Sequence, residues 1–487
     1  MFVERLEGVL QGDGPRRMRP TGESLPIPLV RLPDEFLSRM KDLLKDEYSA
    51  FAAAFASPPS VGLRANSLKI SSVTLRDLLP FNLEPIAGVP DAFLVAGSAS
   101  PGKHPYHAAG LFYLQEPSAM VPAQVLDPQP GERILDLAAA PGGKTTQLAA
   151  YMKGEGVLVA NEIHPRRVQD LVENVERLGI RNAVVTHEHP ARLAERLSGC
   201  FDRVLVDAPC SGEGMFRRSA AAREEWSPGL VVSCQRRQGL ILDTAARMVR
   251  PGGWMVYSTC TFSPEENEQA VGDFLRRNRS FDLEDITMRA GFSRGWSQWE
   301  NGPRLEVDLE RTVRLWPYRG PWEGQYVAKL RRSEGDERRA SGTASLPKRE
   351  DRSLGLAREF WREHVHEDLP HDRIVLRGHQ VFLLPADGPE MTGLRVLRPG
   401  WWVGSLSPDR FEPSHALAMA LRGEQVSRMI PLDVKSPEVL AYLRGEVLSI
   451  AGDAGWVIVA VDKYPLGWGK QIRGKVKNHY PHRLRWR

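Results

Sequence analysis

RILDLAAAPGGKTTQLAA, residues 133–150, is the stretch on which the fold turns. Residues 133–137 are a run of strand length, rich in large aliphatic side chains. Small residues follow, then Gly142-Gly143, then a pattern that continues as a helix. Alanines and glycines let a backbone approach a ligand closely, and the next helix aims its free N–H groups at the same spot. Working outward, further strands are expected at 157–161, 183–186, 203–207 and 254–258, with helices at 144–152, 166–178 and 235–249 between them. This β-α-β alternation predicts a doubly wound α/β sheet with helices on both faces, binding ligands beyond the carboxyl ends of its strands.

Two chemistries fit the corner. The string from Ala138 to Thr145 falls one residue short of a phosphate-binding P-loop, because Ala138 stands where the first glycine belongs. The strand at 203–207 would then pass for the acidic metal-binding strand of a nucleotide hydrolase. The other chemistry is S-adenosylmethionine, whose carboxylate and sulfonium would sit above the same turn. That ligand calls for an acid at the end of the second strand to hold the ribose hydroxyls. Glu162 stands there, 20 residues after Gly142.

Two cysteines separate these readings. The strand at 203–207 exits into Ala208-Pro209-Cys210-Ser211, and the strand at 254–258 exits into Thr259-Cys260. Consecutive parallel strands joined by one helix are expected to be neighbours, which puts both thiols over one edge of the sheet. Carbon 5 of a pyrimidine is a poor nucleophile until a thiolate adds at carbon 6. Covalent catalysis of that kind divides one hard step into easier ones, and a second thiol can assist removal of the carbon 5 proton. Asp207 can hold the exocyclic amine and ring nitrogen 3. The hydrolase reading gives neither thiol a purpose. Cys200 and Cys234 lack a turn setting and are expected to be packing residues.

With 487 residues the chain has room for about three domains. Hydrophobic residues make up 42% and charged residues 26%, the balance of an ordinary globular protein. Its apolar runs fall short of the roughly 18 residues a membrane span needs, and the N-terminus lacks a signal-peptide core. A cytoplasmic protein without a membrane partner is expected. The four cysteines form no CxxC pair, so zinc-ribbon and thioredoxin chemistry are not expected. His104 and His107 read as loop histidines, and no metal site is expected.

Residues 1–25 are expected to be a mobile segment and 26–110 a small α/β lobe, with one helix over 34–55 set by its apolar period. The core spans 111–331, a charged linker 332–355, and a C-terminal region 356–487. Net charge is only +4, yet 463–487 holds eight Lys or Arg and no acid. Tyr464, Trp468, Tyr480 and Trp486 interleave with those cations, which predicts a folded basic surface offering stacking faces to a polyanion.

APGGKT, Asn161-Glu162, DAPCSGEG at 207–214 and STCTFSPEENE at 258–268 together resemble the Sun family of RNA cytosine-5 methyltransferases. GLRANSLK at 62–69, YLQEPSAM at 113–120, RLWPY with WEGQYVAKL at 314–330, and YPLGWGK with KNHYP at 464–481 are similar to its RsmF-type branch. The resemblance implies a Rossmann-like class I methyltransferase core, a small α/β N-terminal lobe and a C-terminal PUA-like RNA-binding domain. It implies S-adenosylmethionine as cofactor, held by Ala138, Ala139, Ala140, Pro141, Gly142, Gly143, Lys144, Glu162, Asp207 and Pro209. Cys260 would be the nucleophile and Cys210 the residue promoting product release, with Asp207 and Lys144 also in the catalytic set. The adenine-side position commonly held by an Asp is His189 here, whose neutral imidazole could accept from an amine in one tautomer. The implied substrate is a cytosine of 16S ribosomal RNA or the small subunit, and a monomer is expected. A non-catalytic RNA-binding assembly factor is the other reading, beside the P-loop-like hydrolase.

Overall fold

The structure, a computed structural model, describes residues 30–97, 100–299, 302–303, 305–335 and 354–487. The expected segment 1–25 lies outside them, as does most of the expected linker at 332–355.

Five parallel strands make the centre: β1 (Arg133–Asp136), β2 (Val157–Asn161), β3 (Ala183–Thr186), β4 (Phe201–Asp207) and β5 (Val249–Thr259). Their order is β3-β2-β1-β4-β5, and β6 (Gln325–Arg332) lies antiparallel beyond β5. Successive residues serve opposite faces, as strand geometry requires. Ile134, Leu158 and Leu205 enter the core on one face, while Leu135, Val157, Val159, Val204 and Val206 enter the core on the other. Helices α1 (Gly143–Tyr151), α2 (Arg167–Arg177), α3 (Pro228–Ala246) and α4 (Ala270–Arg277) connect or flank the strands. The order reverses at β1, so the corner after β1 opens at the switch point of the sheet, where such folds bind ligands.

Two helices differ most from their sequence expectation. The helix over 34–55 is broken into Asp34–Leu44 and Tyr48–Ala54 by a 3-10 turn at Lys45–Glu47. The break brings Phe36, Phe51 and Phe55 together into one aromatic cluster with Phe216 and Phe262. The helix expected at 235–249 begins earlier, because Ser227 accepts from Leu230 N as its cap and Pro228 supplies the first helical φ. It ends at Ala246, since β5 already starts at Val249.

A four-stranded antiparallel sheet forms the N-terminal lobe, in the order Leu83–Pro85, Ala92–Val95, Gly62–Ala65 and Phe112–Gln115. The C-terminal region holds two more four-stranded sheets. One short strand, Val396–Arg398, leaves that region and pairs antiparallel with β3, lengthening the central sheet. Arg181 secures the same contact through Ala420 O and Glu367, and Arg398 pairs with Glu176 on α2.

The basic end corrects part of its expectation. Tyr464, Trp468 and Tyr480 are buried at 7%, 3% and 4% exposure, so these three rings are core and not stacking faces. Trp468 lies in the strand Tyr464–Ile472 and donates its indole N–H to Ser414 O. The cations Lys463, Arg473, Lys475 and Lys477 remain exposed. Among the described residues no helix is long and apolar enough to cross a membrane.

Candidate active site

The corner after β1 is a built structure. Three carbonyls of the turn are each held by a side chain from elsewhere: Ala140 O by Arg167 (2.6 Å), Pro141 O by Asn174 (2.9 Å) and Gly143 O by Arg64 (3.1 Å). Gly142 has φ +109°, a left-handed conformation that favours glycine. A Cβ on Gly143 would stand 3.1 Å from the Gln115 side chain. Together these features leave a cavity of about 190 Å³ lined by Ala138, Ala139, Ala140, Pro141, Gly143, Lys144 and Asp207 and faced by Tyr113 and Gln115 of the N-terminal lobe.

Lys144 and Asp207 meet at 2.8 Å on the wall of this cavity. Burial works against the ammonium, but attraction and hydrogen bonding to Asp207 outweigh it, and Lys144 is held above the usual lysine range. The other oxygen of Asp207 accepts from Ser258 Oγ at 2.8 Å. Behind the turn, burial pushes Asp136 up to about 7, although Thr145 donates to it at 2.7 Å.

β4 and β5 are parallel neighbours, with Asp207 opposite Ser258. The two turns that follow bring Cys210 Sγ and Cys260 Sγ to 3.3 Å, a contact between free thiols. The hydrogen bond to Cys260 and then burial push Cys210 well above the ordinary thiol range. Gly214 N donates to Cys260 O, and Ser211 and Thr261 share a hydroxyl contact at 2.8 Å, so the two turns are laced together. Cys200 and Cys234 are buried.

Glu162 ends β2 at 3% exposure. Its Oε1 accepts from His164 N, and its Oε2 has no hydrogen-bond partner among the described residues, with Arg167 3.6 Å away. His189 Nδ1 accepts from Ala191 N as the cap of the helix Pro190–Arg196; like Gly142 and Glu162, it lies outside the residues that line the cavity. Glu188 turns to the C-terminal region, accepting from Arg395 N. Pro209 also stands off the cavity, its carbonyl accepting from Gln238. His104 and His107 are apart from the site; His104 caps the helix Pro105–Ala108, and burial lowers His107 to about 3.

Sequence reasoning assigned no role to Arg64, Gln115, Arg167 or Asn174. Arg64 carried one signal: a cation inside a strand, Gly62–Ala65, that is buried throughout.

An open switch-point corner, on a sheet ordered β3-β2-β1-β4-β5 with an antiparallel strand beyond, defines a Rossmann-like methyltransferase core. Comparison with known proteins agrees. The family described as 16S rRNA methyltransferase RsmB/F matches residues 123–331, and the N-terminal domain of 16S rRNA methyltransferase RsmF matches 32–117. The RsmF first C-terminal domain matches 359–421 and the RsmF PUA domain 430–486. Ribosomal RNA small subunit methyltransferase F of Shewanella baltica (strain OS195) is 32% identical, over 94% of this chain and 97% of its own. The protein of the same name from Shewanella oneidensis is 31% identical, over 94% and 98%. A solved methyltransferase homologue from Pyrococcus horikoshii is 31% identical with TM-score 0.55, covering 61% of this chain and 94% of its own. NSun6 from the same organism, solved with SFG, shares the fold at 22% identity and TM-score 0.54, covering 63% and 100%. The chain belongs to the RsmF family of ribosomal RNA small subunit methyltransferases.

Proposed function

We propose that this protein transfers a methyl group from S-adenosylmethionine to carbon 5 of a cytosine in 16S ribosomal RNA, with Cys260 as nucleophile and Cys210 as the group that promotes release. The observation that carries the reading is the pair of thiols 3.3 Å apart at the ends of adjacent strands, beside the Lys144–Asp207 pair. RNA as the substrate is supported by the small-subunit methyltransferases that this chain matches from end to end and by the PUA domain match.

The residues present fit the cofactor. Gly143 keeps a side-chain-free approach beside Gln115, while Gln115 Oε1 and Glu162 Oε2 are buried acceptors without a hydrogen-bond partner among the described residues, Glu162 having only the Arg167 ion pair at 3.6 Å. Such orphaned acceptors are costly unless a ligand donor satisfies them. Glu162 would hold the ribose hydroxyls, and residues 138–144 would hold the amino-acid end. When bound, S-adenosylmethionine supplies an electrophilic methyl group.

Cys260 adds as thiolate to carbon 6 of the cytosine, making carbon 5 nucleophilic. Asp207, held by Lys144 and Ser258, would accept from the exocyclic amine. Between the thiols, Cys210 holds its proton tightly, so it can donate a hydrogen bond to a Cys260 thiolate. Once Cys260 is consumed as a thioether, that hydrogen bond is gone, and with it the largest cause holding the proton on Cys210. Cys210 can then give its proton to solvent water and, as thiolate, take the proton from carbon 5; the electron pair of that C–H bond re-forms the double bond and Cys260 leaves as thiolate.

Bisulfite sequencing of small subunits and naked 16S RNA, incubated with S-adenosylmethionine and either the protein or its Cys260→Ala variant, tests the proposal. A cytosine protected only by the parent protein supports it. Protection that survives Cys260→Ala, or no protection on any RNA, would sink it.

A further inference from the structure

Beyond the thiols themselves, the turn carrying Cys210 is gripped from both flanks. Pro209 O, just before Cys210, accepts from Gln238 Nε2 at 3.0 Å. Ser211 N, just after Cys210, donates to Glu266 Oε2 at 3.0 Å. Gln238 Nε2 also donates to that same Glu266 oxygen at 2.8 Å, which closes the grip into one unit. Glu266 belongs to the segment after Cys260, and its backbone carbonyl accepts from Tyr257 of β5 at 2.6 Å. One carboxyl therefore references the Cys210 turn to the chain that bears Cys260.

We infer that Gln238 and Glu266 are positioning residues for Cys210, holding its thiol in register with Cys260 for the release step. This rests on the roles given above to the two cysteines. Both side chains are at 0% exposure, and each keeps its Oε1 without a hydrogen-bond partner among the described residues. A buried acid and amide with unsatisfied oxygens are a poor way to stabilise a fold, since apolar side chains would fill the space without that desolvation cost. What the pair provides is directional: a donor before the cysteine and an acceptor after it. Burial also pushes Glu266 up to about 8, so near neutral pH it acts as a neutral acid and adds little charge beside Cys210.

The test follows the covalent protein–RNA adduct on denaturing gels during turnover with 16S RNA and S-adenosylmethionine. The proteins compared are the parent, Cys210→Ala, Gln238→Met, Glu266→Leu and Glu266→Gln. The two clamp-breaking variants are expected to form the adduct at close to the parent rate but release it about tenfold more slowly, within the hundredfold that small misplacements of a catalytic group cost. Glu266→Gln keeps an acceptor oxygen of the same reach and is expected to release at the parent rate. Adding Gln238→Met to Cys210→Ala should slow release no further, because both act on one group. Adduct formation needs a folded Cys260 site, so a variant that forms it is folded; if Gln238→Met forms none, Gln238→Leu replaces it, a smaller side chain that also lacks the donor. Accumulation in Cys210→Ala without accumulation in the clamp variants overturns the clamp alone. No adduct in Cys210→Ala overturns the role of Cys210 and the clamp with it.

Discussion

Asp136 and Glu266 are carboxyls held where water does not reach, and burial is the leading cause that raises them to about 7 and about 8. An acid whose pKa is higher folded than unfolded binds its proton more tightly in the fold. The stability linked to it is complete below the unfolded pKa, near 4, and is lost as pH rises through the folded value. Urea midpoints are therefore expected to fall between about pH 4 and pH 8, and Glu266→Gln should flatten the upper part of that decline. A midpoint that rises over the same interval would contradict the burial argument. Cys210→Ala is expected to trap RNA on Cys260 during turnover, while Cys260→Ala leaves cofactor affinity within about twofold and abolishes transfer; calorimetry and adduct gels read the two effects. At this scale the thiols, Lys144 and Asp207 were legible because strand exits place their residues in space. Gln238 and Glu266 were not, since their contact joins segments 28 residues apart with no periodic signal. His189 has a local use that its sequence setting also signals: followed by proline at a helix start, it serves as a cap through Nδ1.

The corner after β1 depends on three side chains of two other elements: Arg64 from the N-terminal lobe, and Arg167 and Asn174 from α2. Removing one such support should loosen the turn without unfolding the sheet. Arg167→Ala is expected to weaken S-adenosylmethionine binding about tenfold, an outer-support effect like that seen around metal sites, with the thermal midpoint nearly unchanged because the side chain is 37% exposed. Unchanged affinity by calorimetry would mean that the turn stands on its own. Gly142→Ala should cost about 1–2 kcal/mol of stability, the usual price of a left-handed alanine, read by urea denaturation. Element boundaries were most legible where strands are buried on both faces: 157–161 and 183–186 are the observed limits of β2 and β3. They were least legible for 34–55, where one apolar period hides a break at Lys45 whose purpose, gathering Phe36 and Phe51, is tertiary.

Across the whole molecule, the C-terminal region is part of the catalytic sheet and not an appendage. Val396 pairs with Thr186, Arg398 with Glu176, and Arg181 with Glu367. Removing residues 354–487 would leave β3 as an unpaired edge, which is expected to lower the melting temperature and promote aggregation; an equally soluble and stable remainder would refute the coupling. For the same reason a tail deletion is a poor probe of RNA contact, since it would take Trp468 and Tyr480 out of the core. Charge reversal of the exposed Arg473, Lys475 and Lys477 is the appropriate test, with the salt slope of RNA binding expected to fall by about two to three. The cluster of cations was legible in the sequence. The inward turn of its aromatics was not, because alternate positions of a strand face opposite ways and the register was unknown. Strand 396–398, only three residues long, left no pattern to read.

That short strand also bears on how the protein is made. Thr186 leaves the ribosome long before its partner Val396, so the edge of the nascent sheet stays open for an interval on the order of tens of seconds at ordinary elongation rates. Only when translation has passed the third domain does the catalytic sheet acquire its last strand. A message broken after Arg332, where β6 ends, and before Val396 would yield a chain with every catalytic side chain present and an adhesive flank exposed, a substrate for chaperones and proteases before it is an enzyme.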